Sequence, residues 1–318
     1  MALGSSDPPL SVGRLAPSPS GLLHAGHART FLLAWWYTRS RGGRVAMRID
    51  DLDAERSSAV FADQALRDLE WLGLDWDGPV YRESSGLARM QETIRTLLES
   101  GHAYACTCSR TEIQTAQTAP QQGAVESPYP GTCRDRYDSL ARAKASGRNP
   151  AVRLRVAPGV VEFRDEAFGV RAHDVAAEVG DFVIARRDGA PAYQLAVVLD
   201  DAWQGVTEVV RGADLLPSTA RQLLLQRRLG LTPPRWLHAP LVTDPSGRRL
   251  AKRARDLGLS ELRERGVDPR AIVGWAARSL GFPATARLTA REALVLFDLE
   301  RLIREPTALS PAEIDGWR

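Results

Sequence analysis

The sequence predicts an α/β fold with a parallel-sheet domain, an inserted α+β segment and a small helical region at the end of the chain. Residues 12–49 run from an apolar stretch through a turn and a helix-like segment to a second apolar stretch, which is the order of a right-handed βαβ unit. Between residues 103 and 180 the composition changes, and this segment has the character of an insertion with its own small core. After residue 258 only helical patterns remain.

Composition and charge set the broad class of protein. The 318 residues are enough for about two domains, and 44% hydrophobic with 25% charged residues is typical of a soluble globular enzyme. The net charge of +3 permits a nucleic-acid partner without requiring one. No apolar run approaches about 18 residues, so we expect no membrane-spanning helix. Three cysteines, an odd number, argue against a disulfide framework and for a reducing compartment, so we expect a cytoplasmic protein.

The turn after the first strand predicts an anion site. Residues 13–30 read Gly-Arg-Leu-Ala-Pro-Ser-Pro-Ser-Gly-Leu-Leu-His-Ala-Gly-His-Ala-Arg-Thr, and we expect a helix from about Ala28 to Arg41. His24 and His27 then lie at the helix N-terminus, where unpaired backbone N–H groups and the helix dipole favour a phosphate. The stretch contains neither a Walker-type loop nor a Gly-x-Gly-x-x-Gly motif. The simpler alternative is a loop with two exposed histidines.

A second strand with acids at its end follows this helix. Residues 44–49 are predicted to be buried, and Asp50, Asp51 and Asp53 come directly after them. Side chains just beyond the carboxyl end of a parallel strand lie where open α/β sheets bind ligands. A solvated acidic turn is the alternative. Two amphipathic helices are then expected, after Ser57-Ser58 and after Ser84-Ser85.

The inserted segment contains all three cysteines, in the order Cys106-x-Cys108 and later Cys133. Cysteine thiolates favour tetrahedral Zn²⁺, and a closed four-ligand site would be structural. The residue types alone leave the fourth ligand open between Tyr129, His102, Asp135 and water, and three buried free thiols are the alternative to any metal. Residues 151–156 and 160–164 alternate in polarity like a pair of antiparallel strands joined by Pro158-Gly159.

The second half of the chain returns to α/β patterns. Residues 181–186 and 193–199 predict a hairpin around the turn Asp188-Gly189. The further predicted elements are, in order, a strand at 206–210, a helix from Pro217 to Gly230, a strand at 236–242 and helices at about 259–265, 268–281 and 289–304.

A basic loop follows the last predicted strand. Its cations, which are not interrupted by any acid, are Arg248, Arg249, Lys252, Arg253 and Arg255. Such a run is most often a solvated face or a nucleic-acid contact. Because this loop leaves a strand of the sheet, it could also fold over a phosphate bound at the sheet's edge.

Several of these motifs together resemble the class I aminoacyl-tRNA synthetases. Residues 17–27 resemble the family's His-x-Gly-His motif, and Arg249-Leu-Ala-Lys-Arg253 resembles a degenerate Lys-Met-Ser-Lys-Ser loop. Residues 14–18 together with Arg48-Ile-Asp-Asp-Leu-Asp53 resemble the glutamyl and glutaminyl branch. The resemblance implies a Rossmann-type catalytic domain that activates glutamate with ATP and Mg²⁺.

The chain most resembles the short glutamyl-tRNA synthetase paralogs that act on queuosine. Only 66 residues follow Lys252, so we expect no anticodon-binding domain. This family adenylates L-glutamate and transfers it to queuosine in the anticodon loop of tRNA(Asp). The alternatives are a minimal synthetase that charges a tRNA 3′ end, a zinc- and RNA-binding protein whose ATP site has decayed, and an unrelated nucleotidyltransferase. Nothing in the sequence requires more than a monomer.

We therefore expect the chain to divide into four parts. Residues 1–102 and 181–243 would form the two halves of the catalytic domain, residues 103–180 the inserted zinc-binding subdomain, and residues 244–318 the basic loop with the C-terminal helices.

The resemblance also assigns site residues. It implies glutamate binding by Arg14, Leu15, Ala16, Pro17, Ser18, Asp50, Tyr193 and Arg211; ATP binding by His24, Gly26, His27 and Lys252, with both histidines and the lysine catalytic; and one structural Zn²⁺ held by Cys106, Cys108, Tyr129 and Cys133. From their charges, we expect Arg14 and Arg211 to face the side-chain carboxylate of glutamate and Asp50 to face its ammonium group. Asp50 stands where the family more often has glutamate. Arg249, Ala251 and Arg253 replace a lysine and two serines of the family's loop.

Overall fold

The first two strands lie side by side and parallel, with a helix crossing between them. Strand β1 (Val12–Leu15) pairs with β2 (Arg44–Ile49), and helix α1 (Ala25–Arg39) connects them. The computed structural model, which describes residues 11–115, 128–248 and 258–317, thus confirms the predicted βαβ unit. The helix begins three residues earlier than predicted, because His24 serves as its N-cap.

Strand β1 packs closely on α1, and a glycine allows this approach. A Cβ atom on Gly13 would lie 1.9 Å from Thr38 Oγ1 near the end of the helix. The helix itself is buried on most sides, with Trp35 and Trp36 in the core. The absence of a side chain at Gly13 therefore sets the distance between strand and helix.

The next elements follow this unit along the chain. They are α2 (Ala59–Trp71), β3 (Tyr81–Arg82), α3 (Leu87–Glu99), β4 (Ala103–Cys106), α4 (Arg110–Thr115), α5 (Leu140–Ala145), β5 (Ala151–Leu154), β6 (Val160–Asp165), β7 (Gly169–Asp174), α6 (Val175–Glu178) and β8 (Val183–Ala185). Helices α2 and α3 confirm the two predicted amphipathic helices. Strand β3 extends the first sheet in the order β1-β2-β3.

The strands at 151–154 and 160–165 exist, but the predicted pairing between them is wrong. Strand β5 lies between β4 and β8, antiparallel to both. Strand β6 instead forms a hairpin with β7. Residues 166–168 form the turn between β6 and β7, in which Asp165 accepts hydrogen bonds from the backbone of Ala167 and Phe168.

The predicted hairpin at 181–199 is wrong in its second half. Tyr193–Trp203 is a helix, α7, although the chain does turn at Gly189 with φ +85°. Residues 195–198 are buried on all sides of the helix. The hydrophobic periodicity of such a short, continuously apolar run does not distinguish a buried helix from a buried strand.

A second sheet has the order β7-β6-β10-β9 and lies next to the first. Strand β9 (Glu208–Gly212) and β10 (Arg235–Ala239) are parallel and flank helix α8 (Leu216–Leu229) in sequence. Thr207, just before β9, donates its N–H to the carbonyl of Val12 at 2.9 Å, which joins the two sheets at their edges. The predicted strand 236–242 is interrupted at Pro240, and its last part is β11 (Val242–Thr243).

The C-terminal region packs against α1. It contains α9 (Leu259–Glu264), α10 (Pro269–Ser279), α11 (Ala290–Val295), β12 (Thr307–Ala308) and α12 (Pro311–Asp315). The helix predicted over 289–304 ends at Val295, and a short 3₁₀ helix follows at Leu299–Arg301. Strand β12 lies beyond it and pairs with β11. Trp36 Nε1 donates to the carbonyl of Ala290 at 2.9 Å. Within the described ranges, no helix combines the length and apolarity needed to cross a membrane.

The contact at Gly13 predicts a measurable coupling. Gly13→Ala should lower the free energy of unfolding by about 1–3 kcal/mol, because the new methyl group overlaps Thr38 Oγ1. Combining it with Thr38→Ala removes that oxygen, so the double variant should lose less stability than the sum of the two single variants. Urea unfolding measures all three. Additive losses would contradict the proposed contact.

Candidate active site

A cavity of ≈ 460 Å³ opens where β1, β2 and β9 end and α1 begins. Ten of the residues that the sequence assigns to glutamate or ATP line it: Arg14, Ala16, Pro17, Ser18, His24, Gly26, His27, Asp50, Tyr193 and Arg211. Leu15 does not line this cavity, because its side chain points into the hydrophobic core. Lys252 and the rest of the motif at 249–253 lie outside the described residues.

The two histidines cap α1 and hold each other in place. His24 Nδ1 accepts from the backbone N–H of Gly26 at 3.1 Å, and His27 Nδ1 accepts from the backbone N–H of His24 at 3.3 Å. Their rings stack with centroids 3.8 Å apart. Since Nδ1 of each neutral ring is an acceptor, Nε2 carries the proton and is a donor. A Cβ on Gly26 would lie 3.0 Å from the His24 ring, so any larger residue at this position would crowd the ring.

Beneath the cavity, two arginines share one buried carboxylate. Asp201 Oδ1 accepts from Arg14 Nε at 3.2 Å and from Arg48 Nη1 at 2.8 Å. Arg48 Nε donates in turn to Asp50 at 2.6 Å. Arg14 also donates to the carbonyl of Val210 at 2.9 Å. This chain of ion pairs fixes Arg14 and Asp50, two residues of the cavity wall, relative to each other.

Burial and charge compete in this network. Burial disfavours the ionised form of Asp201, but Arg14 and Arg48 outweigh it and lower the pKa of that carboxyl. At Asp50 burial prevails over the same two arginines and raises the pKa. A cationic group bound beside Asp50 would therefore stabilise its carboxylate, which favours an ammonium ligand at this position.

Arg211 is held differently from Arg14. Its guanidinium donates to Gln222 Oε1 at 2.7 Å, to Thr219 Oγ1 at 2.8 Å, to His238 Nε2 at 3.0 Å and to the carbonyl of Leu215 at 3.3 Å. These four partners carry no negative charge. Burial lowers the pKa of the Arg211 guanidinium, so an anion in the cavity would stabilise its charge.

His238 is neutral and bonded on both sides. Its Nδ1–H donates to Asp165 Oδ2 at 2.6 Å, which leaves Nε2 as the acceptor for Arg211. Both side chains of the His238–Asp165 pair are completely buried. Burial lowers the pKa of the imidazole and keeps this acceptor unprotonated.

Sequence patterns did not identify the residues that support the cavity wall, which are Asp165, Asp201, Gln222 and His238. Arg48 was recognised only as part of a motif, without a role at the site. The available signal was the presence of polar residues inside apolar stretches. Asp201 follows the apolar run of α7, and His238 interrupts the apolar run of β10. Polar groups in such positions are rarely buried without a partner.

The predicted metal ligands also come together, at the end of β4. The sulfur atoms of Cys106, Cys108 and Cys133 all lie within 4.8 Å of one another. The Tyr129 hydroxyl lies 3.4 Å from the Cys106 sulfur and 3.7 Å from that of Cys108. Four donor atoms therefore face one small volume, as a tetrahedral ion requires.

The other candidates for the fourth ligand have different partners. His102 contacts Arg228, and Asp135 accepts from Arg155 Nη1 at 2.9 Å. Behind the cluster, Arg153 Nε lies 3.3 Å from the Cys106 sulfur, and its guanidinium stacks 3.8 Å from the centre of the Tyr129 ring.

Comparisons with known proteins agree with this geometry. The family described as tRNA synthetases class I (E and Q), catalytic domain, matches residues 12–315. A protein of Nocardia farcinica called Glutamyl-Q tRNA(Asp) synthetase is 46% identical over 299 residues, which are 94% of this chain and 93% of the relative. A protein of the same name from Nitratidesulfovibrio vulgaris is 45% identical over 281 residues, 85% of this chain and 86% of the relative.

Solved structures match the fold. The crystal structure of a glutamate-tRNA synthetase from Elizabethkingia anophelis superposes with a TM-score of 0.81 at 23% identity, over 97% of this chain and 70% of that one. The parallel sheets and the crossover at the cavity are thus those of the class I catalytic fold, as the sequence motifs predict. With its family match and its relatives at 40–46% identity, the chain belongs to the class I tRNA synthetases (E and Q), a family of ATP-dependent ligases, among relatives named Glutamyl-Q tRNA(Asp) synthetase.

Proposed function

We propose that this ligase activates L-glutamate with ATP and transfers the glutamyl group to queuosine in the anticodon loop of tRNA(Asp). The names of its relatives support the glutamyl group and the acceptor. The observation that carries the choice of amino acid is the buried Arg211, whose four hydrogen-bond partners named above contribute no negative charge.

Glutamate fits the distribution of charge around the cavity. Its side-chain carboxylate would meet Arg211 and Arg14, with Tyr193 beside them, and its ammonium group would meet Asp50. Arg14 already has a carboxylate partner in Asp201, which it shares with Arg48, so the carboxylate of the ligand would add most at Arg211. A neutral glutamine side chain would leave that charge uncompensated in a buried place, which costs binding energy.

The first step requires positioning and charge stabilisation more than a protein nucleophile. The α-carboxylate of glutamate attacks the α-phosphorus of ATP, a phosphorus–oxygen bond forms, and pyrophosphate leaves with the electron pair of the broken bond. Class I synthetases use ATP with Mg²⁺, which would offset phosphate charge. His24 and His27 would donate from Nε2 to the phosphates, next to the N–H groups at the start of α1. Lys252 remains a predicted ATP ligand.

In the second step, a hydroxyl oxygen of the acceptor attacks the activated carbonyl. An ester forms, AMP leaves with the bonding electrons, and the proton of the hydroxyl is released. For queuosine this hydroxyl belongs to the cyclopentene diol. The alternative acceptor, the 3′-terminal ribose of a tRNA, would react by the same chemistry, so only the RNA substrate distinguishes the two.

We also propose one structural Zn²⁺ in the insertion. Cys106, Cys108, Cys133 and Tyr129 would hold it, because their donor atoms converge on one small volume. The ion would hold residues 129–133 against the end of β4. It would take no part in the adenylation step.

Exchange of pyrophosphate into ATP tests the activation step. The chain should catalyse exchange that depends on glutamate, and His27→Ala should lower kcat by about 10²-fold because a donor to the phosphates is lost. His173→Ala is the matched control, since His173 lies in β7 and contacts Glu178. Its exchange rate should equal that of the wild type. If no amino acid supported exchange, or if His27→Ala left kcat unchanged, the assignment would be contradicted.

Labelled glutamate tests the acceptor. It should become attached to tRNA from cells that make queuosine and not to tRNA from cells that lack it. Removing the 3′-terminal adenosine from the same tRNA should leave labelling unchanged, because the ester forms in the anticodon loop. Equal labelling of both tRNA pools, or loss of label after trimming, would identify the 3′ end as the acceptor and overturn the proposal.

Metal analysis tests the zinc site. Chain produced with zinc should contain about one Zn²⁺, and Cys133→Ser should contain almost none. Tyr129→Phe should release zinc to a chelator about tenfold faster or more, since it loses a ligand oxygen. Tyr137→Phe is the control, because the Tyr137 hydroxyl contacts Thr107 at 3.1 Å. Equal release rates for the two tyrosine variants would remove Tyr129 from the ligand set.

A further inference from the structure

A pair of completely buried side chains lies directly behind Arg211. Asp165 is the last residue of β6, and His238 lies in the neighbouring strand β10. The His238 imidazole bridges Asp165 Oδ2 at 2.6 Å and Arg211 Nε at 3.0 Å. Neither residue lines the cavity, whereas Arg211 does.

We infer that Asp165 and His238 are positioning residues that orient Arg211 for the side-chain carboxylate of the amino acid. The inference rests on the proposed binding of glutamate by Arg211. Asp165 selects the tautomer of His238 in which Nε2 has no proton. This nitrogen then accepts from Arg211 Nε and turns the guanidinium plane toward the cavity.

The carboxylate of Asp165 is suited to this role because both of its oxygens are occupied by N–H donors. Oδ1 accepts from the backbone N–H groups of Ala167 and Phe168 at 3.0 and 2.9 Å. Oδ2 accepts from the backbone N–H of His238 at 3.2 Å as well as from its ring. An amide at this position has one acceptor oxygen and one donor nitrogen, so it cannot satisfy all four donors.

His238, as the acceptor for Arg211, also favours the binding of an anionic side chain. A carboxylate in direct contact with Arg211 Nε would neutralise the guanidinium and reduce its attraction for a ligand anion. The imidazole holds the same N–H while carrying no charge. The negative charge of Asp165 is kept one ring further from the cavity.

Two amide substitutions at residue 238 separate orientation from simple packing. Glutamine can place its carbonyl oxygen where Nε2 accepts from Arg211, whereas asparagine can replace only the Nδ1–H contact to Asp165. His238→Asn should therefore raise the Kd for glutamate about tenfold or more, by leaving Arg211 Nε without its acceptor. His238→Gln should stay within about threefold of the wild type.

Calorimetric titration of glutamate into the full chain without ATP gives the Kd values, and pyrophosphate exchange gives KM for glutamate and ATP separately. The KM for ATP should change less than about twofold in both variants, because this relay from Asp165 through His238 acts on the cavity through Arg211. Equal Kd values for the two variants, tighter binding by His238→Asn, or parallel increases in both KM values would overturn the relay.

Asp165→Asn provides a second test should the variants at 238 unfold. It keeps the shape of the side chain but places the amide NH₂, a donor, against N–H groups that the Asp165 carboxylate accepts from. Glutamate binding should therefore again weaken about tenfold while ATP binding is retained. Unchanged glutamate affinity in a folded Asp165→Asn would also overturn the relay. A wild type that binds no glutamate would defeat the proposed function as well, whereas a wild type that binds it leaves the relay as the only claim at risk.

Discussion

The cavity depends on one constraint, which is that each arginine buried beneath it needs an acceptor. Arg14 and Arg48 share Asp201, and Arg211 bonds to His238, Gln222 and Thr219. An unpaired guanidinium in this environment would be costly, and a mispaired one would point elsewhere. The elements that supply these acceptors must therefore reach the same place, and this requirement links α7, α8, β6 and β10 to the strands that carry the arginines.

The two kinds of acceptor give the two sides of the cavity different electrostatic properties. Arg14 forms an ion pair with Asp201, whereas Arg211 donates hydrogen bonds to uncharged groups. Arg211 therefore offers a ligand anion a guanidinium that is hydrogen-bonded to neutral groups, and Asp50, which is bonded to Arg48, offers a ligand cation its carboxylate. This arrangement favours an amino acid with an anionic side chain over a neutral one of similar shape, because only the anionic side chain forms an ion pair with Arg211.

Short-range patterns were sufficient to predict the parts of the molecule that depend on neighbours in sequence. The βαβ unit, the helix N-terminus at His24 and His27, and the meeting of three cysteines all follow from spacing within about 40 residues. The partners of the arginines could not be predicted in this way. Arg14 and Asp201 are 187 residues apart, and Asp165 and His238 are 73 residues apart. Their contacts depend on which strands pair, and the pairing of β6 with β7 and β10 was itself not predicted correctly.

The misassigned segment at 193–199 shows why local structure matters for the site. Tyr193 begins α7 and Asp201 lies in its last turn, so the helix separates them by about 12 Å along its axis. In a strand the same eight steps would cover about 26 Å. An extended segment would thus separate the two residues about twice as far, and could not place Tyr193 in the cavity wall while Asp201 pairs with Arg14. The buried apolar run of α7 therefore does more than fill the core, because its helical rise brings the substrate-facing tyrosine and the carboxylate that holds Arg14 to one site.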